Sequence, residues 1–146
     1  INQNVIIGGL GLGLLPSLLS LRSDIKNIVV IELQQEIIDM VKPYLNPKIE
    51  IICDDFFEFI KRYGKDKSLL ERFFPPKIWK GRKYPADVDV IIADIWSRYE
   101  MNKEIERLFK KSVYLLNEYF PYSKHLFWDF EDYYDYETIK RHNELF

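Results

Sequence analysis

Apolar residues occur along this chain in short continuous runs, separated by longer stretches in which they recur every three or four positions. The short runs, rich in valine and isoleucine, are typical of buried strands, and the longer spacing is typical of amphipathic helices. The predicted strands span residues 3–7, 28–32, 49–53, 88–94 and 124–130. The predicted helices span residues 14–21, 34–45, 56–63, 102–119 and 137–146. This alternation predicts an α/β fold with a mostly parallel sheet and helices on both faces.

One stretch, at about residues 64–86, interrupts the pattern and shows few signals beyond a turn at 68–73. With its flanks (61–85) it holds nine basic, two acidic and five aromatic residues. Basic residues interleaved with aromatic ones can bind single-stranded nucleic acid. We favour a solvated loop that packs on its own domain through Phe73, Phe74 and Trp79. The acidic, tyrosine-rich segment after residue 128 can complement this insertion within one chain or across a homodimer.

Composition and charge limit the size, compartment and partners. A chain of 146 residues, 47% hydrophobic and 30% charged, is expected to form one domain, 1–146, with a sizeable core. Its net charge of −2 gives no general attraction to nucleic acid or anionic membranes. No apolar run suits a membrane span, and the single cysteine, Cys53, fits a reducing cytoplasm. Because Ile1 directly precedes a strand, we expect a core truncated at one or both ends.

The most informative motif joins the first predicted strand to the first helix. Glycines at the alternate positions Gly9, Gly11 and Gly13 allow a tight turn and a close approach of the backbone to a ligand. Glu32, at the end of the second strand, can accept hydrogen bonds from ribose hydroxyls. A dinucleotide fingerprint needs its third glycine at the position of Leu14, so the spacing disfavours a dinucleotide. A glycine-rich turn that holds no ligand is the alternative.

GxGxG followed by an acid on the second strand resembles the first motif of class I methyltransferases, which bind S-adenosylmethionine with this turn. Three further segments resemble the spermidine synthase-like branch of that superfamily, in the same order: IVVIELQQEII (28–38), IEIICDDFFEF (49–59) and DVIIAD (89–94). The resemblance covers about residues 4–130. It implies a Rossmann-like, doubly wound fold, with S-adenosylmethionine as cofactor and S-adenosylhomocysteine as product.

The resemblance also implies roles for the matching residues. Glu32 would bind the ribose and Asp55 the adenine amino group, with Asp54 where a glycine is usual. Asp94, beside the methionine end of the cofactor, is the candidate catalytic residue. The expected cofactor-binding set is Gly8, Gly9, Gly11, Gly13, Glu32, Leu33, Asp54, Asp55, Phe56 and Asp94. Each acid has a simpler explanation as a helix cap, and we expect either Asp54 or Asp55 to be one.

The residues after the fourth strand bear on the reaction. True spermidine synthases carry a second acid three positions after the first, where this chain has Ser97 followed by Arg98, which disfavours a polyamine substrate. The Asp/Asn-Pro-Pro-aromatic motif of nucleic-acid amino-methylating enzymes is also missing. We expect methyl transfer to an unidentified acceptor, with Trp96 and Tyr99 as candidate walls of its pocket. The alternatives are aminopropyl transfer from the decarboxylated cofactor and a non-catalytic nucleoside-binding or assembly module. The histidines and Cys53 lack metal-type spacing, so no metal site is expected.

Overall fold

The structure, a computed structural model, describes residues 3–96 and 103–128. In chain order its strands are β1 (Gln3–Gly8), β2 (Ile25–Glu32), β3 (Ile49–Cys53), β4 (Lys77–Trp79), β5 (Arg82–Tyr84), β6 (Val90–Ala93) and β7 (Lys124–Phe127). The α-helices are α1 (Leu14–Ser20), α2 (Gln35–Val41), α3 (Phe56–Lys65) and α4 (Lys103–Tyr119). Short 3₁₀ helices occupy Lys42–Tyr44 and Lys67–Arg72. In this part of the chain no helix is long and apolar enough to cross a membrane.

Five strands form one parallel sheet in the order β3-β2-β1-β6-β7. The central strand β1 has neighbours on both sides, so that Val5 pairs with Ile28 of β2 and with Val90 of β6. The predicted α/β class with a mostly parallel sheet is therefore confirmed. A strand covered by helices on both faces has no solvent-facing side, which explains why these segments are continuous apolar runs.

Two layers of helices cover the sheet, one on each face. Successive side chains of β1 alternate between the layers, because a strand has a period of two. Val5 and Ile7 face the side of α1 and α2, where Ile38 is buried. Ile6 faces α3 and α4, where Phe59 is fully buried. Burying a phenylalanine side chain stabilises a fold by about 1.5–3 kcal/mol, so this aromatic-rich layer is a main source of stability.

Several element boundaries differ from the predicted ones. β2 begins at Ile25, three residues earlier than predicted, and β6 begins only at Val90. The second helix ends at Val41 instead of residue 45, because Pro43 lacks an amide hydrogen and the chain continues as a 3₁₀ turn. The predicted helix at 137–146 and the last residues of the predicted fifth strand, 129–130, lie outside the described residues.

The stretch between α3 and β6 has more structure than predicted. After the 3₁₀ helix at Lys67–Arg72, β4 and β5 form an antiparallel hairpin. Phe73 and Phe74 are buried in the core, as predicted for a segment that packs on its own domain. The prediction was wrong for Trp79, whose side chain is 66% exposed. Trp79 directly precedes the hairpin turn Lys80–Gly81, where both residues have positive φ, and the hairpin does not bring its ring to the core.

Candidate functional site

A cleft of about 570 Å³ lies at the carboxyl ends of β1, β2, β3 and β6. Such volumes are typical of small-molecule sites, and parallel sheets bind ligands at this edge, where the strand order reverses. Here the order reverses between β1 and β6. The lining comprises Gly9, Gly11, Ile31, Glu32, Leu33, Gln34, Ile37, Asp54, Asp55, Phe56, Phe57, Asp94, Ile95, Trp96 and Leu108.

Most of the predicted cofactor-binding residues meet in this lining, but Gly8 and Gly13 do not. Gly8 is the buried last residue of β1, and a Cβ there would lie 2.7 Å from the Phe56 ring. Gly13 precedes α1, and a Cβ there would lie 2.8 Å from side-chain carbons of Val41 and Leu45. The structure therefore accounts for these two glycines by packing within the protein.

Gly9 and Gly11 shape the turn that forms one wall of the cleft. Gly9 has a φ of 96°, and a Cβ on it would collide with the carbonyl oxygen of Asp94. A glycine here lets the ends of β1 and β6 approach each other. Gly11 has a φ of 54°, and nothing lies within 4 Å of where its Cβ would be. Its open side borders the cleft, so a ligand can approach the backbone closely.

Glu32 connects the end of β2 to the glycine turn. Its side chain lies in the cleft lining although the residue is only 8% exposed. The amide of Leu10 donates to Oε1 at 3.1 Å, and the amide of Gln34 donates to Oε2 at 3.0 Å. A carboxylate oxygen has two lone pairs, so each oxygen retains room for one further donor. Glu32 is thus both a structural link and a ready acceptor for two hydroxyl groups.

Asp54 and Asp55, between β3 and α3, differ in their contacts. Asp55 is the N-cap of α3, since its Oδ1 accepts the amide of Glu58 at 3.0 Å. Asp54 accepts the amide of Asp55 at 2.8 Å and pairs with Arg62 at 3.2 Å. The prediction that one of the two acids caps the helix is confirmed, and the cap is Asp55. The second oxygen of Asp55 retains its acceptor capacity, and both residues line the cleft.

Asp94 and Trp96 follow β6 on the opposite side of the glycine turn. The amide of Asp94 donates to the carbonyl of Gly8 at 2.8 Å, which fixes the half-buried residue beside the turn. Trp96 lines the cleft, and it also belongs to the core, with its Nε1 donating to the carbonyl of Trp128 at 2.7 Å. Ser97, Arg98 and Tyr99 lie outside the described residues.

The sequence predicts Leu33, Phe56 and Trp96 at the site, but it does not identify the other apolar residues of the lining. Phe57 and Ile37 follow predicted site residues by one to five positions, and their proximity to strand ends was the available signal. Leu108 comes from α4, which is distant in sequence, and only the packing of α4 on the sheet brings it to the cleft. Together these side chains give the cleft an apolar wall.

The charged side chains that the structure describes in the lining are all carboxylates: Glu32, Asp54, Asp55 and Asp94. Arg62 offsets one of them, through its ion pair with Asp54. Among residues 3–96 and 103–128, no group of three or more metal-ligating side chains is close enough to share an ion. The cleft is therefore electrostatically suited to a neutral or cationic ligand and poorly suited to phosphate.

The sequence matches no protein-family model and no curated protein. Among solved structures, a short-chain dehydrogenase/reductase from Saccharomyces cerevisiae matches with a TM-score of 0.51 and 11% identity, over 98% of this chain and 61% of the other. A precorrin-8W decarboxylase from Methanobacterium thermoautotrophicum matches with a TM-score of 0.47 and 14% identity, over 86% and 54%. A short-chain dehydrogenase from Streptomyces avermitilis matches with a TM-score of 0.45 and 14% identity, over 86% and 48%.

At 11% identity, the match to the Saccharomyces cerevisiae protein bears on the fold alone. The fold is Rossmann-like. The chain spans about half to three fifths of the length of these proteins.

Proposed function

We propose that this chain binds S-adenosylmethionine in the cleft and transfers its methyl group to an acceptor. The main support is one observation: every charged side chain described in the lining is acidic, and the most buried of them, Glu32, is hydrogen-bonded to the glycine turn. A ribose-binding acid beside a glycine turn is common to several nucleoside sites. The charges of the other lining residues indicate which kind of nucleoside ligand fits this cleft.

A dinucleotide would bring a pyrophosphate into this acidic cleft. At an effective dielectric constant of about 20, each carboxylate within about 6 Å of a phosphate charge would cost about 3 kcal/mol. A sulfonium reverses the sign of this interaction. The charges of Glu32 and Asp55, in a lining whose described charged side chains are all acidic, therefore favour a nucleoside with a positive centre over a dinucleotide.

The groups present fit such a ligand. Glu32 has one free acceptor position on each oxygen, which matches the two adjacent hydroxyls of a ribose. The uncommitted oxygen of Asp55 can accept the adenine amino group, and Leu33 and Ile37 offer apolar contact nearby. Asp94, which lines the cleft beside the glycine turn, is our candidate for contact with an amino group of the donor or with the acceptor.

Bound S-adenosylmethionine supplies an electrophilic methyl group together with its own leaving group. The work left to the protein is to align donor and acceptor and to exclude water. The apolar wall that includes Trp96 and Leu108 suits the second task. No general base is needed where the acceptor is already nucleophilic.

Aminopropyl transfer from decarboxylated S-adenosylmethionine is the second candidate. It is favoured by the same acidic lining, because the decarboxylated cofactor lacks the carboxylate that the acids, Asp94 included, would repel. The two reactions differ in the ligand that the cleft accepts.

Isothermal titration calorimetry with four ligands tests the proposal. We expect S-adenosylmethionine and S-adenosylhomocysteine to bind and NAD to show no measurable binding. Binding of methylthioadenosine alone would support aminopropyl transfer in its place. Tighter binding of NAD would overturn the charge reasoning, and no binding of any ligand would favour the non-catalytic module.

A further inference from the structure

The hairpin formed by β4 and β5 is exposed along its whole length. All six strand residues are solvent-exposed, and they include large apolar side chains, with Ile78 74% and Tyr84 44% exposed in addition to Trp79. A two-stranded hairpin is only marginally stable by itself. These side chains add little to the core, and their grouping on one exposed hairpin makes them available for contact with a partner.

The register of the hairpin places aromatic and basic side chains on one face. Trp79 pairs with Arg82, and Lys77 pairs with Tyr84. Cross-strand partners project to the same side of a hairpin, and so do residues two positions apart on one strand, so all four side chains lie on one side. Ile78 and its partner Lys83 project to the other side. We call the side formed by Lys77, Trp79, Arg82 and Tyr84 the aromatic face.

Two lysines of the hairpin strands form ion pairs with acids outside the hairpin, and, among the described residues, two basic residues at its turn do not. Lys77 pairs with Asp87 at 2.6 Å, and Lys83 pairs with Glu71 at 2.8 Å. In the part of the chain that the structure describes, no acid pairs with Lys80 or Arg82. The surrounding segment, residues 61–87, has nine basic and three acidic residues in a chain whose net charge is −2. Positive potential is therefore concentrated around the hairpin.

We propose that the aromatic face binds single-stranded nucleic acid. Unpaired bases stack on exposed aromatic rings, and cationic side chains contact the phosphates. The aromatic face presents this combination through Trp79, Tyr84 and Arg82, and Lys80 adds a charge at the adjacent turn. A folded duplex keeps its bases stacked on each other and would leave the rings without partners. A partner that offers only acidic groups would satisfy the charges but would leave the rings without stacking contacts.

This binding surface is separate from the cleft and does not depend on the proposed function. Asp87, which anchors the hairpin, accepts a hydrogen bond from Asn4 at the start of β1, whereas the cleft lies beyond the end of β1. A strand of six residues spans about 20 Å. A nucleic acid bound at the hairpin is thus held at the opposite end of the sheet from Glu32.

Fluorescence anisotropy with fluorescein-labelled 15-mers of dT and of rU tests the proposal on the whole chain. Trp79→Ala should weaken binding by about 5-fold or more, because it removes one stacking ring. Arg82→Ala should reduce the slope of log K against log salt concentration by about 0.7. Ile78→Ala, a change of an equally exposed apolar residue on the other side of the hairpin, should leave affinity within twofold. Lys103→Ala, which removes a charge at the opposite end of the sheet, should leave the slope unchanged.

The two probes distinguish DNA from RNA as the natural ligand, and preferential binding of either supports the proposal. It is overturned if neither 15-mer binds below about 100 µM, or if Ile78→Ala weakens binding as much as Trp79→Ala. It is also overturned, in favour of an acidic protein partner, if polyglutamate displaces the oligonucleotides at equal concentration. Because these residues are exposed, unchanged thermal unfolding of each variant shows that the fold is retained.

Discussion

Replacing Glu32 by alanine is the most direct test of the ribose-binding role. In the structure each carboxylate oxygen accepts one backbone amide and has room for one hydroxyl. A hydrogen bond to a charged group contributes about 1.5–3 kcal/mol, so the loss of two corresponds to about 3–6 kcal/mol. We therefore expect Glu32→Ala to weaken binding of S-adenosylhomocysteine by about 10²- to 10⁴-fold.

The same substitution has a structural cost that must be measured separately. The buried amide of Leu10 loses its acceptor, which costs about 1–3 kcal/mol and lowers Tm by several degrees in a domain of this size. Thermal unfolding without ligand gives this cost, and calorimetry at a temperature well below the lowered Tm gives the affinity. Glu36→Ala is the matched control, because Glu36 is an exposed acid in the first turn of α2 and its loss changes the charge equally.

A ligand variant makes the test sharper. An analogue of S-adenosylhomocysteine without the 2′- and 3′-hydroxyls should bind the wild type and Glu32→Ala with equal affinity. If the folded Glu32→Ala protein binds S-adenosylhomocysteine within threefold of the wild type, the ribose assignment is refuted. If Glu36→Ala weakens S-adenosylhomocysteine binding as much as Glu32→Ala does, the loss reflects the net charge of the protein and not a contact of Glu32 with the ribose.

Three further predictions concern single residues. Gly11→Ala should weaken S-adenosylhomocysteine binding and lower the free energy of unfolding by about 1–3 kcal/mol. Gly9→Ala should destabilise the fold much more, because its Cβ meets a backbone oxygen, and equal urea midpoints for the two variants would contradict this. Asp55→Ala should cost about 1 kcal/mol through loss of the α3 cap and Asp55→Asn much less, so similar midpoints for both would exclude a capping role. Burial lowers the pKa of His125 below its usual 6.5, and its ring contacts the Phe120 carbonyl at 2.7 Å. As pH falls, the unfolded chain therefore binds a proton at His125 before the folded chain does. The free energy of unfolding is not reduced by this residue above about pH 6.5, and it decreases as pH falls below that value. Urea unfolding at pH 7.5 and 5.5 should show a smaller pH effect in His125→Gln, and parallel losses would refute the assignment.

The sequence predicts the parallel sheet and many of the residues that line the cleft. Continuous runs such as residues 28–32 indicate strands buried on both faces, and the carboxyl ends of parallel strands meet at one edge. The sequence therefore predicts Glu32, Asp55 and Asp94 at one edge, and the structure has all three in the lining of the cleft. The acidic character of the cleft follows from the same placement.

Other features depend on contacts that no local pattern records. A glycine that faces a ligand looks the same in sequence as one that faces a distant side chain, so the sequence does not separate Gly8 and Gly13 from the cleft-lining Gly9 and Gly11. The strands β4 and β5 have three residues each, too few for an alternating pattern to stand out. The Lys80–Gly81 pair between them was the available turn signal.

The central position of β1 has a consequence for how the chain folds during synthesis. Its partner β2 follows after one helix, but its contacts at the other edge come from far along the chain, as the bond from Asn4 to Asp89 spans 85 positions. Until β6 has emerged from the ribosome, β1 exposes an unpaired apolar edge to which other chains can add. Because loop closure over such a separation costs entropy, pairing of β1 with β6 is expected to be slow. The cleft closes only when Asp94 reaches Gly9, and ligand binding is therefore among the last properties the molecule acquires.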